Sequence, residues 1–133
     1  MTAETNAGKR ILIVEDELMI RMLLDGMLTD LGYTVAGEAG SVDEALDLAK
    51  QAEFDLAILD VNLNGKAITP VAEALSRRGV PFVFSTGYGV HGVPDAYRKN
   101  PTLQKPFQAE ALAQVLETIA PKSPPGVIIR EGG

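Results

Sequence analysis

Residues 10–16 read Arg10-Ile-Leu-Ile-Val-Glu-Asp16, and residues 56–60 read Leu56-Ala-Ile-Leu-Asp60. Each is a short aliphatic run that ends abruptly in acid. Continuous apolar runs of this length, bounded by polar turns, read as strands buried on both faces. Two further segments have the same grammar: Pro81-Phe-Val-Phe-Ser85 runs into Thr86, and Thr102-Leu-Gln104 runs into Lys105-Pro106-Phe107. In an open parallel sheet, ligands bind outside the carboxyl ends of the strands. Glu15, Asp16, Asp60, Thr86 and Lys105 are therefore expected to meet at one place.

Helical patterns separate these strands, and the alternation predicts an α/β fold with a parallel sheet. From Glu17 to Leu31, apolar residues recur at Ile20, Leu23, Leu24, Met27 and Leu31, and Gly32 is a natural stop. Tyr33 to Ala36 reads as a further strand. Ser41-Val-Asp-Glu44 has the form of a capping box and opens a helix carrying Ala45, Leu48 and Ala49. After Asp60 comes a turn, Val61-Asn-Leu-Asn-Gly65. Thr69-Pro70 then predicts an N-cap with proline at the first helical position, and Gly79 ends that helix. Between Pro94 and Pro101 there is room only for a short fourth helix. The final helix is expected over Gln108 to Ala120, with Leu112, Val115, Leu116 and Ile119 on one side.

The chain of 133 residues fits one domain with one real core. Residues 1–8 are expected to be a disordered N-terminus, 9–120 the domain, and 121–133 a flexible tail. The apolar Val127-Ile-Ile129 in that tail packs incidentally or docks on a neighbouring chain. There is no cysteine, hence no disulfide and no thiolate metal site, and the single His91 cannot build a histidine site. A net charge of −6 disfavours nucleic-acid binding, which requires neutralising phosphates. No run approaches the roughly 20 apolar residues of a membrane span, and no secretory leader pattern opens the chain. A cytoplasmic protein is the expectation.

Three carboxylates form a hard-oxygen site suited to Mg2+, which favours one or two carboxylates, waters and phosphate oxygens. Without a cation the charges repel and raise a carboxylate pKa. With one, Asp60 can attack phosphorus as a covalent acceptor. Such a transfer needs mainly positioning and charge neutralisation, which Lys105 and the Thr86 hydroxyl can supply. Any one of these residues alone is ordinarily a turn, cap or loop residue; their joint placement carries the reading. Gly87-x-Gly89-x-x-Gly92 matches a dinucleotide fingerprint only literally. It follows the wrong strand, Pro94 intrudes, and the next strand ends in Lys105 rather than acid, so it reads as a loop.

The set Val14-Glu15-Asp16-Glu17, Leu59-Asp60-Val61-Asn62, Ser85-Thr86-Gly87 and Gln104-Lys105-Pro106-Phe107 resembles the receiver domain of two-component response regulators, over Lys9 to Ala120. The resemblance implies a flavodoxin-like, doubly wound, five-stranded parallel sheet in the order 2-1-3-4-5, with five helices. It implies that Asp60 takes a phosphoryl group from a phosphohistidine on a sensor histidine kinase or histidine phosphotransfer protein. Asp16 would bind Mg2+ directly, Glu15 would assist through water, and the Asn62 carbonyl would be a further ligand. Thr86 and Lys105 would sense the phosphoryl group, and the Lys105-Pro106 peptide would be cis. Where many relatives carry a switch aromatic, this chain has Thr102, and position 64 is Asn where many have Pro. Phe84-Ser-Thr-Gly-Tyr-Gly89 is similar to the Phe-Ala-Thr-Gly-x-Tyr motif of a receiver subgroup that includes single-domain regulators of α-proteobacterial stress signalling. Tyr88 there either takes the switching role or covers the loop.

The expectation is a stand-alone receiver, not an enzyme with a separate substrate. It would signal through a downstream protein partner or act as a phosphate sink, without nucleic acid or membrane. The first and last helices offer surfaces for a homodimer. Two alternatives stand beside it. One is a Mg2+-dependent aspartyl-phosphate hydrolase, although Asn62 occupies the place of that class's second Asp. The other is a phosphate-independent scaffold.

Overall fold

The computed structural model describes residues 8–87 and 92–119. The expectations for Tyr88, for His91, for the N-terminal residues before Gly8 and for the tail from Ala120 onward lie outside the described residues. Strands β1 (Arg10–Val14), β2 (Thr34–Ala39), β3 (Leu56–Asp60), β6 (Phe82–Thr86) and β7 (Thr102–Gln104) form one sheet in the order β2-β1-β3-β6-β7. Every neighbouring pair is parallel. The expected order and direction hold. A two-residue antiparallel pair, β4 (Asn62–Leu63) and β5 (Lys66–Ala67), forms a small hairpin beyond β3.

Helices α1 (Leu18–Asp30), α2 (Val42–Gln51) and α3 (Thr69–Arg77) lie between successive strands from β1 to β6 and return the chain to the same edge, and α4 (Ala109–Ile119) follows β7. Alternation along each strand splits the core into two layers. Leu12, Val14, Ala57, Leu59, Phe82 and Phe84 face Ala45 and Ala49 of α2 and Val71, Ala72 and Leu75 of α3. Ile11, Ile13, Leu56, Ile58, Val83 and Leu103 face Leu24 and Leu28 of α1 and Leu112 and Leu116 of α4. All five residues of β3 and of β6 are buried, as continuous apolar runs require of central strands.

Local signals explain most boundaries. Ser41 Oγ accepts from Glu44 N at 3.2 Å, while Glu44 Oε1 accepts from Gly40 N at 2.8 Å, so the capping box forms with its return bond one residue early. α3 differs by one residue from its expected start: Ile68 is the N-cap and Thr69 is already helical, with Pro70 in the first turn. Buried Ile68 anchors this entry through packing instead of a side-chain cap. At the end of α3, Arg78 Nη1 donates to the carbonyls of Ala49 and Ala52 and ties α3 to the end of α2.

Four α-helices are described, where five were expected. The short fourth element is a 3-10 turn, Asp95–Tyr97, opened by Pro94 and closed before Pro101. The two prolines leave too few residues for an α-helix to propagate. The turn is held to the sheet by aromatic packing. The Tyr97 ring lies 5.6 Å from Phe82 and 6.0 Å from Phe84, centroid to centroid.

Candidate phosphoacceptor and metal site

At the carboxyl edge of the sheet, β1 delivers Glu15 and Asp16, β3 delivers Asp60, and the end of β7 delivers Lys105. One carboxylate oxygen from each of Glu15, Asp16 and Asp60 lies within 4.8 Å of the others. Lys105 Nζ stands 2.9 Å from Glu15 Oε1 and 3.1 Å from Asp60 Oδ2. The contact to Asp60 is a hydrogen bond. That to Glu15 lacks good hydrogen-bond angles and acts as an ion pair, leaving Oε1 buried and incompletely satisfied.

Three backbone amides orient the carboxylates. Glu17 N donates to Glu15 Oε2 at 3.1 Å, Asn62 N to Asp60 Oδ1 at 3.2 Å, and Asn64 N to Asp16 Oδ2 at 3.1 Å. A cavity of roughly 470 Å³ opens above them, lined by Asp16, Glu17, Asp60, Val61, Asn62, Asn64, Gly65, Gly87 and Lys105. Asp60, 5% exposed, is part of this lining, and Glu15, 1% exposed, is buried beside it. Burial pushes the Glu15 carboxyl up to about 7; the nearby Asp60 charge adds to that effect, and Lys105 and the Glu17 amide oppose it. Burial alone would pull the Lys105 ammonium down, but the contact with Glu15 and the Asp60 charge outweigh it and hold its pKa above the ordinary lysine value.

This donor set fits a hard divalent cation. It offers carboxylate oxygens only, one of them buried and under-satisfied, with an opening wide enough for waters and a phosphoryl group. The Lys105-Pro106 peptide is cis.

The remaining expected residues are placed as follows. Thr86 is buried at the end of β6, its carbonyl accepts from Lys105 N at 2.8 Å, and its hydroxyl lies beside Gly92. Its side chain is not part of the cavity wall. Thr102 pairs with Phe84 on the edge strand, half-buried and away from the carboxylates. The aromatic residue that packs on β6 is Tyr97, which sequence reading did not single out; its place in a Pro-bounded segment gave no such signal. By comparison with relatives, Asn64 stands out only in not being proline. The Asn64-Gly65 dipeptide is a strong hairpin signal, however, and both residues have positive φ, 51° and 82°, as a type I′ turn requires.

The fold and the acidic pocket at the carboxyl edge of its sheet point to the receiver class, and sequence comparison agrees. The chain belongs to the response regulator receiver domain family, which it matches over residues 11–117. It is 35% identical over 119 residues to the transcriptional regulatory protein PdtaR of Mycobacterium tuberculosis, covering 86% of this chain and 58% of that protein. The chain thus spans little more than half the length of that curated relative. Among solved structures, SdrG from Sphingomonas melonis Fr1 is 43% identical, with a TM-score of 0.77 over 90% of this chain and 98% of that one. The response regulator PhyR from Brucella abortus is 25% identical, with a TM-score of 0.74, over 86% of this chain and 49% of that one. Among the described residues, no helix is long and apolar enough to cross a membrane.

Proposed function

We propose that this chain is a phosphoacceptor: Asp60 takes a phosphoryl group from a phosphohistidine donor and the modified surface is read by a protein partner, or the phosphoryl group is simply drained from a kinase network. One observation carries the reading: the Asp60 carboxylate, bonded to Lys105 Nζ at 3.1 Å, shares its pocket with two further carboxylates, within 4.8 Å of one another. Mg2+ would be held by Asp16, Asp60 and the Asn62 carbonyl, with Glu15 assisting, and would supply neutralisation of the phosphoryl oxygens.

The chain's own residues do the rest. Asn62 N and Lys105 Nζ hold one Asp60 oxygen each, which limits rotation of the nucleophile. An Asp60 oxygen bonds to phosphorus as the phosphorus–nitrogen bond of the donor breaks, and the electron pair leaves with the imidazole. Lys105 can then donate to a phosphoryl oxygen, and the Thr86 hydroxyl, one residue from the cavity wall at Gly87, would turn to another. Tyr88 and Thr102 are the positions through which the change would be relayed.

The donor's landing place has a physical candidate. Leu18, Met19, Met22 and Leu23 are each more than half exposed, on the turn of α1 that directly follows Asp16. Large apolar side chains grouped beside a reactive site mark a protein contact, here for a histidine kinase or phosphotransfer protein. The hydrolase alternative is disfavoured because Asn62 offers its side-chain oxygen to Gly65 N and no carboxylate stands there to act as general acid or base. The relative SdrG has a BeF3-activated conformation, 46% identical to this chain with a TM-score of 0.72, which supports a like response here.

The test is intact mass after incubation with Mg2+ and acetyl phosphate, with Asp60→Asn alongside. One phosphoryl group on the wild type and none on the variant is expected. Equal labelling of both proteins would remove Asp60 from the role, and unchanged partner binding by Asp60→Asn would favour the scaffold.

A further inference from the structure

The hairpin that follows Asp60 is tied to both metal-facing carboxylates, and a single residue organises the tie. Asn62 N donates to Asp60 Oδ1 at 3.2 Å. The side-chain oxygen of the same residue, Oδ1, accepts from Gly65 N at 2.8 Å. That bond closes the Asn64-Gly65 turn, in which both residues have positive φ. Closure aims Asn64 N at Asp16 Oδ2, 3.1 Å away on the end of a different strand. Leu63, the residue directly before the turn, is 1% exposed and packs in the core, so the hairpin is anchored to the domain up to the Asn64-Gly65 turn itself.

We propose that the Asn62 side chain is a positioning residue: by latching the Asn64-Gly65 turn it holds Asp16 in the orientation that receives the cation. The inference rests on the reading of this pocket as a Mg2+-dependent phosphoacceptor site. The physical basis is pre-organisation. A carboxylate already restrained by a backbone amide loses less rotamer freedom when it takes up a cation, so affinity rises without any added contact. Opening the latch releases the turn into conformations in which Asn64 N no longer meets Asp16. Position 62 then acts on the metal through two routes, its main-chain carbonyl as a ligand and its side chain through the turn, and only the second depends on residue type.

A side chain that merely satisfied a surface amide would leave the cation site unaffected, and this separates the two roles. The experiment is a Mg2+ titration by calorimetry of full-length wild type, Asn62→Ala, Asn62→Ser and Gly65→Ala, with hydrogen exchange of the Gly65 amide on the same samples. Serine can span this gap, since Ser41 Oγ already accepts from the amide three residues on. Asn62→Ala is expected to weaken Mg2+ about three- to tenfold, the loss of one ordinary hydrogen bond's net effect, and to speed Gly65 exchange. Asn62→Ser should restore both. Gly65→Ala, strained at its φ of 82°, should weaken Mg2+ with Asn62 intact. Wild-type Mg2+ affinity in Asn62→Ala, with Gly65 exchange accelerated, would overturn the positioning role while leaving the phosphoacceptor reading standing. Absence of Mg2+ binding by the wild type would overturn both.

Discussion

Lys105 holds Asp60 directly: its ammonium donates to Oδ2 at 3.1 Å and also faces Glu15 Oε1 at 2.9 Å. One ammonium therefore serves two buried acids. Removing it as Lys105→Met should leave like charges facing each other. The expected outcome is a stability loss of about 1–3 kcal/mol without metal, with most of it recovered on adding Mg2+. Thermal melts with and without Mg2+ measure this, and an unchanged melt in chelator would show that the ion pairs contribute nothing.

A cation bound only by the folded pocket must stabilise the fold. At a concentration about one hundred times its dissociation constant, Mg2+ should add roughly 2.7 kcal/mol. Chelation should remove the gain, and Asp16→Asn should abolish it, because Asp16 is one of the three clustered carboxylates. Scanning calorimetry across a Mg2+ series is the check. Equal stabilisation of the Asp16→Asn protein would place the ion elsewhere.

Gly92 packs closely against Val61, just beyond the end of β3. A Cβ built there would lie 2.8 Å from Val61 Cγ2 and 3.4 Å from Thr86 Oγ1, and Val61 is the residue after Asp60. Gly92→Ala must push Val61 or the loop aside, at a cost of about 1–3 kcal/mol. Slower labelling of Asp60 by acetyl phosphate should accompany the lower melting temperature. A variant with both properties unchanged would mean that the loop stands clear of Val61 in solution.

Tyr33 carries its hydroxyl into the core, where it finds no hydrogen-bond partner among the described residues. Burial, and then the charge of Glu117, raise its pKa above 10. Tyr33→Phe removes a desolvated donor and should be neutral or stabilising, by up to about 1 kcal/mol. The pH dependence follows from the raised value. Below pH 10 the phenol is neutral in both states and stability is unaffected. Above it the unfolded chain ionises first, so stability falls as pH rises. Tyr33→Phe should lose that part of the alkaline decline, measured as denaturation midpoints between pH 9 and 11; an identical decline in both proteins would assign it to other groups.

Most of the sheet is legible because central parallel strands are buried on both faces and so carry continuous apolar runs up to their polar ends, as Leu56–Asp60 and Phe82–Thr86 do. Helix starts were legible where a side chain does the capping, as at Ser41, and displaced where packing does it, as at Ile68. The fourth helix shrank to Asp95–Tyr97 because flanking prolines left no room to propagate, a shortening the sequence already suggested. The hairpin after Asp60 is signalled in the sequence only by the Asn64-Gly65 pair, and its strands are too short to show an alternating pattern.

The amino-acid order alone determined which residues end the strands, and hence that Glu15, Asp16, Asp60 and Lys105 lie at one edge, because side-chain period and helix–strand alternation are local properties. Tertiary structure decided how they meet: that Lys105 bridges Glu15 and Asp60, that Asn64 N finds Asp16 across 48 positions, and that Tyr97 packs on Phe82 and Phe84. Those relations depend on distances between separate strands and loops, which are set only when the two core layers pack.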